Sequence, residues 1–132
     1  MPHIIIEHSA NITDAADIDG LIERLHAAAL ETGVFPLGGL RTRAAERAHY
    51  RIADGHGDNG FVHVTLRIGH GRDGETKKRA AGHIFDALCD HLGELYDSSS
   101  LAISLEVQEI DPDTSFKKNN LHDHVAARQK SE

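Results

Sequence analysis

The chain has 132 residues and a formal net charge of −7 at pH 7 with its eleven histidines neutral. This balance disfavours nucleic acid and anionic membranes as partners, because both require a concentrated basic surface. The length predicts one domain over residues 1–132, and the only cysteine, Cys89, allows neither an internal disulfide nor a cysteine-based zinc site. No apolar run of membrane length and no signal-peptide pattern is evident, so we expect a soluble, cytoplasmic protein.

The first part of the chain predicts a strand followed by a helix. An apolar run over residues 3–8 is typical of a buried strand, and it begins directly after Pro2. Capping side chains before Asp14 predict that the helix starts near that residue, and Gly33 is a plausible end. The helix is indicated by apolar residues at three- and four-residue steps, namely Ile18, Leu21, Ile22, Leu25 and Ala29.

Residues 34–60 have a different character. The segment Phe35 to Leu40 contains proline and two glycines and is not expected to be helical. Several arginines follow, and then a turn-rich stretch over residues 53–60. We therefore predict a loop and a short hairpin or an irregular pair of strands in this region.

The second half of the chain returns to regular patterns. Alternation predicts a strand over residues 61–68, a helix over about 75–96, and a third strand over 101–109. A short polar segment covers residues 116–122. We expect the last stretch, about 123–132, to be a frayed tail.

The order of these elements contains a weak internal repeat. The strand and helix at 3–32 are echoed by the strand and helix at 61–95, and right-handed crossovers would make each unit a β-α-β element. We therefore predict an α+β fold in which a mixed sheet carries two helices on one face. The other face would need cover, which predicts a homo-oligomer.

The segment Gly69 to Gly74 matches the pattern G-x-G-x-x-G after a strand and before a helix. The acidic residue of a dinucleotide site belongs about 20 residues further on, at the end of the next strand. Here that distance falls near Glu94, inside or at the end of the helix, so we reject a dinucleotide site. Backbone N–H groups at the helix start, together with Arg72, instead indicate an anion site.

Arg41 and Arg72 are the candidate anion-binding side chains, because each follows a glycine-containing turn. The planar guanidinium group pairs with a carboxylate through two parallel hydrogen bonds. Solvated arginines that balance an acidic chain are the alternative, and for any single arginine that alternative is the more common case.

The histidines and the cysteine do not indicate a metal site or a nucleophile. His122 and His124 lie close together in sequence but lack further partners. His63 alternates with the core of its strand and is interpreted as a packed, hydrogen-bonded residue. Cys89 lies among apolar helix residues and is interpreted as part of the core.

Pro2 is a candidate base because it directly follows Met1. If Met1 is removed, residue 2 carries a free secondary amine that is attached to a buried strand. Burial and neighbouring cations would lower the pKa of that amine, so that it could accept a proton near neutral pH. A second-position proline without any function is the alternative.

Five stretches together resemble the 5-carboxymethyl-2-hydroxymuconate isomerases, which are tautomerases with an amino-terminal proline. The stretches read P-H-x-I-x-E at 2–7, T-G-x-F-P-L-x-G-x-R-x-R at 32–43, A-D-G at 53–55, F-V-H-x-T-L-x-I-G-x-G-R at 61–72 and F-K-x-N-N-x-H at 116–122. Residues 44–51 are not matched. The order and spacing of these stretches make the resemblance specific over most of the chain.

The resemblance implies a tautomerase-like β-α-β pseudo-repeat assembled as a homotrimer. It implies proton transfer without cofactor or metal in homoprotocatechuate degradation, from a tricarboxylate dienol to a conjugated ketone. Pro2 would be the base and then the acid, while Arg41 and Arg72 would bind carboxylates and stabilise charge at the 2-oxo group. Phe35 and Phe116 would form an apolar wall of the substrate site, either within one chain or with a neighbouring subunit.

Two other functions stay open. One is a tautomerase of another 2-oxo acid or 2-hydroxydienoate, or a hydratase or dehalogenase on the same scaffold. The other is an oligomeric, non-catalytic protein that binds an anionic metabolite. A free Pro2 amine with a near-neutral pKa would separate the enzymes from the binding protein, which has no need of a base.

Overall fold

Over residues 1–130, the part of the chain that the computed structural model describes, four β-strands and four α-helices are present. The strands are β1 His3–Ser9, β2 Arg41–Arg47, β3 Gly60–Gly69 and β4 Leu101–Ile110. The helices are α1 Ile18–Glu31, α2 Gly74–His91, α3 Gly93–Ser98 and α4 Leu121–Lys130. No helix in these residues is both long enough and apolar enough to cross a membrane.

The four strands form one mixed sheet in the order β2-β1-β3-β4. β1 pairs with β2 in parallel and with β3 in antiparallel, and β3 pairs with β4 in parallel. Each parallel pair is joined through a helix, α1 in the first unit and α2 in the second. The predicted α+β fold and its internal β-α-β repeat are therefore confirmed.

The hydrophobic core lies between the sheet and helices α1 and α2, which share one face. Alternate residues of β1 and β3 point into it because successive strand residues face opposite sides. The strands contribute Ile4, Ile6, Val62, Val64, Leu66 and Ile68, and the helices contribute Leu21, Leu25, Ile84 and Leu88; all are essentially inaccessible to solvent.

The opposite face of the sheet is largely polar. Glu7 of β1 forms an ion pair with Arg47 of β2 at 2.6 Å. His63 of β3 contacts Ser104 Oγ at 2.6 Å and Glu106 Oε1 at 2.9 Å on β4. No helix of the described chain packs on this side, and its cover by a partner subunit stays a prediction.

The hairpin expected within residues 34–60 is wrong. Residues 41–47 instead form β2, which lies parallel to β1 and completes the first β-α-β unit. β2 is an edge strand with no fully buried residue, and it consists mostly of charged and small residues. It therefore shows no alternation of apolar residues from which a strand could be predicted.

Helix α1 begins four residues later than expected. Residues Ala10–Ile12 form a short 3-10 turn, and the true cap is Asp17, whose Oδ1 accepts a hydrogen bond from the Gly20 N–H at 3.2 Å. The predicted end is confirmed, because Gly33 follows α1 with a φ of +72°, a conformation that favours glycine.

The tail expected from about residue 123 is wrong up to Lys130, because these residues belong to α4. The helix buries no residue, so its sequence shows little apolar periodicity. Asp123 in the first turn and Arg128 and Lys130 in the last turn instead match the helix dipole. The last two residues of the expected tail, 131–132, lie outside the described residues.

Candidate active site

Pro2 is buried at the entrance to β1. Its carbonyl oxygen accepts a hydrogen bond from the backbone N–H of Arg41 at 3.2 Å, which extends the pairing of β1 with β2. Gly39 lies against the proline ring, since a Cβ at this glycine would be 3.5 Å from Pro2 Cδ. The two neighbouring strands and the preceding loop thus hold residue 2 in a fixed position.

A cavity of about 500 Å³ opens at the amino terminus. Its lining comes from the amino terminus, from β2, and from the ends of β3 and β4 with the segment that follows: Met1, His3, Arg41, Gly69, Ile110, Pro112, Ser115, Phe116, Lys117 and Lys118. Met1 reaches Arg41, whose Nη2 donates to Met1 Sδ at 3.9 Å. Removal of Met1 would therefore enlarge the cavity beside Arg41.

The electrostatics of the amino terminus are dominated by cations. Burial lowers the pKa of the Met1 amine below its ordinary value, and the charges of Lys117, Arg72 and Arg41 lower it further, in that order. Within residues 1–130 none of these three cations forms an ion pair with a carboxylate. The site is suited to a neutral amine and to an anionic ligand.

Arg72 is held firmly by the loops around it. Its Nη2 donates to the Val34 carbonyl at 3.2 Å, and its Nη1 donates to the Gly69 carbonyl at 3.4 Å. The guanidinium carbon lies 5.3 Å from the centre of the Phe35 ring, within the range of a cation–π contact. These contacts fix the direction in which Arg72 presents its charge.

The two predicted phenylalanines occupy different places. Phe116 lines the cavity and is 92% exposed, so it forms a rim that solvent reaches. Phe35 is buried, does not line the cavity and lies under Arg72. In a single chain the structure does not bring these two rings together into one wall.

The sequence predicted an anion site formed by Arg72 and by backbone N–H groups at the start of α2. The structure argues against the contribution of the backbone. The Asp73 carboxylate caps this helix and accepts a hydrogen bond from the Thr76 N–H at 2.8 Å. Hydrogen bonds from Thr76 also lower the pKa of Asp73. An external anion would meet a carboxylate there, which disfavours an anion site built from the backbone of this helix start.

Sequence reasoning missed Lys117, which lies beside the amino terminus although it is far away in sequence. The segment that carries it is docked on the loop before β2, where Asn119 Nδ2 donates to the Gly38 carbonyl at 3.3 Å. The only available signal was the stretch 116–122, which contributed to the family resemblance but carried no role for the lysine.

The structure also bears on the metal site and the cysteine nucleophile that were considered from the sequence. Within residues 1–130, no group of three or more histidine, cysteine, aspartate or glutamate side chains could hold a metal ion. Burial raises the pKa of the Cys89 thiol, with a smaller contribution from Asp86, so the reactive thiolate is disfavoured.

Comparison with known proteins decides the family. The family model described as "CHMI: 5-carboxymethyl-2-hydroxymuconate isomerase" matches residues 2–125. The chain belongs to this family. It is 40% identical over 122 residues to the 5-carboxymethyl-2-hydroxymuconate Delta-isomerase of Escherichia coli, covering 92% of this chain and 97% of that one.

Solved structures agree with the assignment to the 5-carboxymethyl-2-hydroxymuconate isomerases. A 5-carboxymethyl-2-hydroxymuconate isomerase from Deinococcus radiodurans R1 superposes with a TM-score of 0.88 at 33% identity, covering 94% of this chain and 93% of that chain. A fused 4-OT described as a symmetric trimer has a TM-score of 0.64 at 21% identity, covering 89% and 92%, and shares the fold. The expected family and the expected enzyme class, an isomerase, are confirmed.

The close approach of the carboxyl-terminal segment to Gly38 leads to a prediction. A Cβ at this position would lie 2.5 Å from His122 Nδ1 and 2.9 Å from His122 Cα, closer than real Cβ contacts allow. Gly38→Ala should displace the segment that carries Lys117. We expect the KM of the isomerase reaction to rise about tenfold, as for the loss of one charged contact.

The same substitution should change the free energy of unfolding by less than about 1 kcal/mol, because α4 buries no residue. Steady-state kinetics and urea unfolding test both parts. Gly57→Ala is the matched control, since its Cβ would meet nothing within 4 Å. An unchanged KM for Gly38→Ala would show that the docked segment does not support the site.

Proposed function

We propose that the chain converts 5-carboxymethyl-2-hydroxymuconate into 5-carboxymethyl-2-oxohex-3-ene-1,6-dioate and that Pro2 carries the proton. The observation that supports this role is the cationic surroundings of the amino terminus, where Lys117, Arg72 and Arg41 all favour a neutral amine. An unprotonated amine next to unpaired cations is what a base for an anionic substrate requires.

The reaction balances with Pro2 alone as the proton carrier. The nitrogen accepts the proton of the 2-hydroxyl group, the C2 carbonyl forms, the C2–C3 double bond moves to C3–C4, and the electron pair of the C4–C5 double bond becomes available at C5. The same proton then passes from the nitrogen to C5. Arg41 and Arg72 bind carboxylates of the substrate and stabilise the negative charge that develops at the 2-oxo group.

This mechanism requires removal of Met1. While Met1 is attached, the nitrogen of Pro2 belongs to an amide and has no lone pair available for a proton. After removal, Pro2 carries a secondary amine at the edge of the same cavity. It would then feel the cations that act on the Met1 amine, so we expect its pKa to be lowered as well.

A homotrimer is the second part of the proposal, together with a cytoplasmic location. Helices α1 and α2 leave the opposite face of the sheet without their cover, and the fused 4-OT that shares the fold is described as a symmetric trimer. Light scattering should give three times the chain mass of 14.4 kDa. A monomer at the concentration of the assay would contradict this part.

The experiment that tests the function follows disappearance of the dienol by its ultraviolet absorbance. The protein is first shown by intact mass to begin at Pro2. Turnover well above the solvent rate is the expected result. A rate that does not exceed the solvent rate would contradict the proposed substrate and favour another 2-hydroxydienoate or a binding function.

A further inference from the structure

A second cluster of cations lies next to the catalytic cavity, on the outward face of the sheet. The strand register places His3 of β1 between Arg41 of β2 and Arg67 of β3, and it places Ile5 opposite Arg43 of β2. Paired residues of neighbouring strands face the same side of a sheet. His3, Arg43 and Arg67 therefore project from three adjacent strands on one side.

These side chains line a separate, smaller cavity. Its volume is about 210 Å³, and its remaining lining residues are Ile5, Ile110 and Ser115. His3, Ile110 and Ser115 also line the cavity at the amino terminus. The two cavities are therefore adjacent to each other.

The cluster carries positive charge without a protein counter-ion. Within residues 1–130, no carboxylate lies within ion-pair distance of Arg43 or Arg67, although the chain has 21 acidic residues. The carboxylates of β1 and β4 on this face of the sheet are already engaged, Glu7 with Arg47 and Glu106 with His63.

His3 is a neutral hydrogen-bonding partner in this cluster. Arg43 Nη1 lies 3.0 Å from His3 Nδ1, and a guanidinium can only donate, so Nδ1 accepts and the ring proton is on Nε2. Burial lowers the pKa of His3, and Arg43, Arg41, the amino terminus and Arg67 lower it further. The ring therefore orients Arg43 and adds an N–H donor without adding charge.

Two guanidinium groups beside a neutral histidine repel each other when the cavity is empty. Arginine binds a carboxylate through two parallel hydrogen bonds, and such a ligand would remove the repulsion.

We propose that His3, Arg43 and Arg67 form a subsite for the carboxymethyl carboxylate of the substrate, an inference that rests on the proposed function. The C1 and C6 carboxylates are attached directly to the conjugated chain and lie close to its plane. The third carboxylate is attached to the tetrahedral methylene carbon of the carboxymethyl group and can turn out of that plane. It is the branch that can reach a cavity beside the main one.

The test compares substrates with and without the third carboxylate. Arg43→Gln and Arg67→Gln are assayed with 5-carboxymethyl-2-hydroxymuconate and with 2-hydroxymuconate, which lacks the carboxymethyl branch. Each substitution should raise the KM for the tricarboxylate at least about tenfold, with kcat within about twofold of wild type. The KM for 2-hydroxymuconate, or its inhibition constant if it is not turned over, should stay within about twofold of wild type.

Two further variants separate charge from structure. Arg67→Lys keeps the charge but loses the forked geometry, so its KM for the tricarboxylate should rise less than that of Arg67→Gln. Arg24→Gln removes an arginine that pairs with Asp90 on the helical side and should leave both substrates unaffected. Light scattering of each variant checks that the assembly is retained.

Equal losses for both substrates, or no loss for either, would overturn the subsite while leaving the isomerase proposal intact. Failure of the proposed function would give a different experimental result from failure of the subsite. In that case the wild-type protein would not isomerise the tricarboxylate, or its activity would survive the Pro2→Ala substitution.

Discussion

Protein that retains Met1 should be essentially inactive, whereas protein that begins at Pro2 should isomerise the dienol rapidly. Retained Met1 converts the nitrogen of Pro2 into an amide and also leaves the Met1 side chain against Arg41 in the cavity. Pro2→Ala, also processed to begin at residue 2, should lower kcat/KM by about 10² to 10⁴, the usual contribution of one general base. The measurement is the ultraviolet assay on preparations whose amino terminus is verified by intact mass.

The free energy of unfolding should change little on Pro2→Ala, and its measurement is the control for the loss of activity. The backbone hydrogen bond from the Arg41 N–H to the carbonyl of residue 2 does not need a proline ring, so we expect Pro2→Ala to cost less than about 1 kcal/mol of unfolding free energy. Full activity in protein that retains Met1 would contradict the role of Pro2. His3, whose imidazole lines the same cavity, would then be the next residue to test.

Elements with strong apolar periodicity were predictable from the sequence. β1, β3 and the helices α1 and α2 bury one complete face, and their buried residues recur at the steps that the analysis used. Burial against a sheet imposes this pattern on the sequence, because any other spacing would place polar groups in the core. The internal repeat followed from the same signal.

Elements without a buried face were not predictable in this way. β2 sits at the edge of the sheet with no fully buried residue, and α4 buries none, so neither needs a regular apolar pattern. β2 exists because β1 offers it a row of backbone hydrogen-bonding groups. That partner is set by the tertiary fold and is not visible within the seven residues of the strand.

The site was predictable only in part. Pro2, Arg41 and Arg72 were proposed from their types and from the family resemblance, and the structure brings Arg41 and Arg72 close enough to affect the amino terminus. Lys117 comes from the opposite end of the chain and depends on docking against Gly38. Phe35 contacts Arg72 within the chain, a contact that depends on which side of a loop the ring occupies, and its place in a substrate wall stays a prediction.

Arg72→Ala should lower kcat/KM by about 10² to 10³ and also move its pH dependence. The loss of rate follows from the removal of a fixed positive charge at the point where the 2-oxo group becomes negative, a contribution of about 3 to 4 kcal/mol for one such donor. The side chain is oriented by the Val34 and Gly69 carbonyls and by Phe35, so the substitution removes a positive charge that is held in a fixed position.

The direction of the pH effect follows from the causes of the pKa shift at the amino terminus. Burial contributes most, and Lys117, Arg72 and Arg41 add to it by disfavouring the protonated amine. Removal of one cation raises the pKa of the base, which is then protonated and inactive up to a higher pH. The acid limb of the kcat/KM profile should therefore move to higher pH, and only part of the way to an ordinary amine because the other causes remain.

Two matched variants separate the two roles of Arg72. Lys117→Gln removes a cation that acts on the amine without the fixed contacts of Arg72, so its acid limb should move in the same direction with a smaller loss of rate at high pH. Arg72→Lys keeps the charge but loses the forked geometry, so its acid limb should stay in place while KM rises. An acid limb that does not move in either Arg72→Ala or Lys117→Gln would mean that these cations bind the substrate but do not set the pKa of the base.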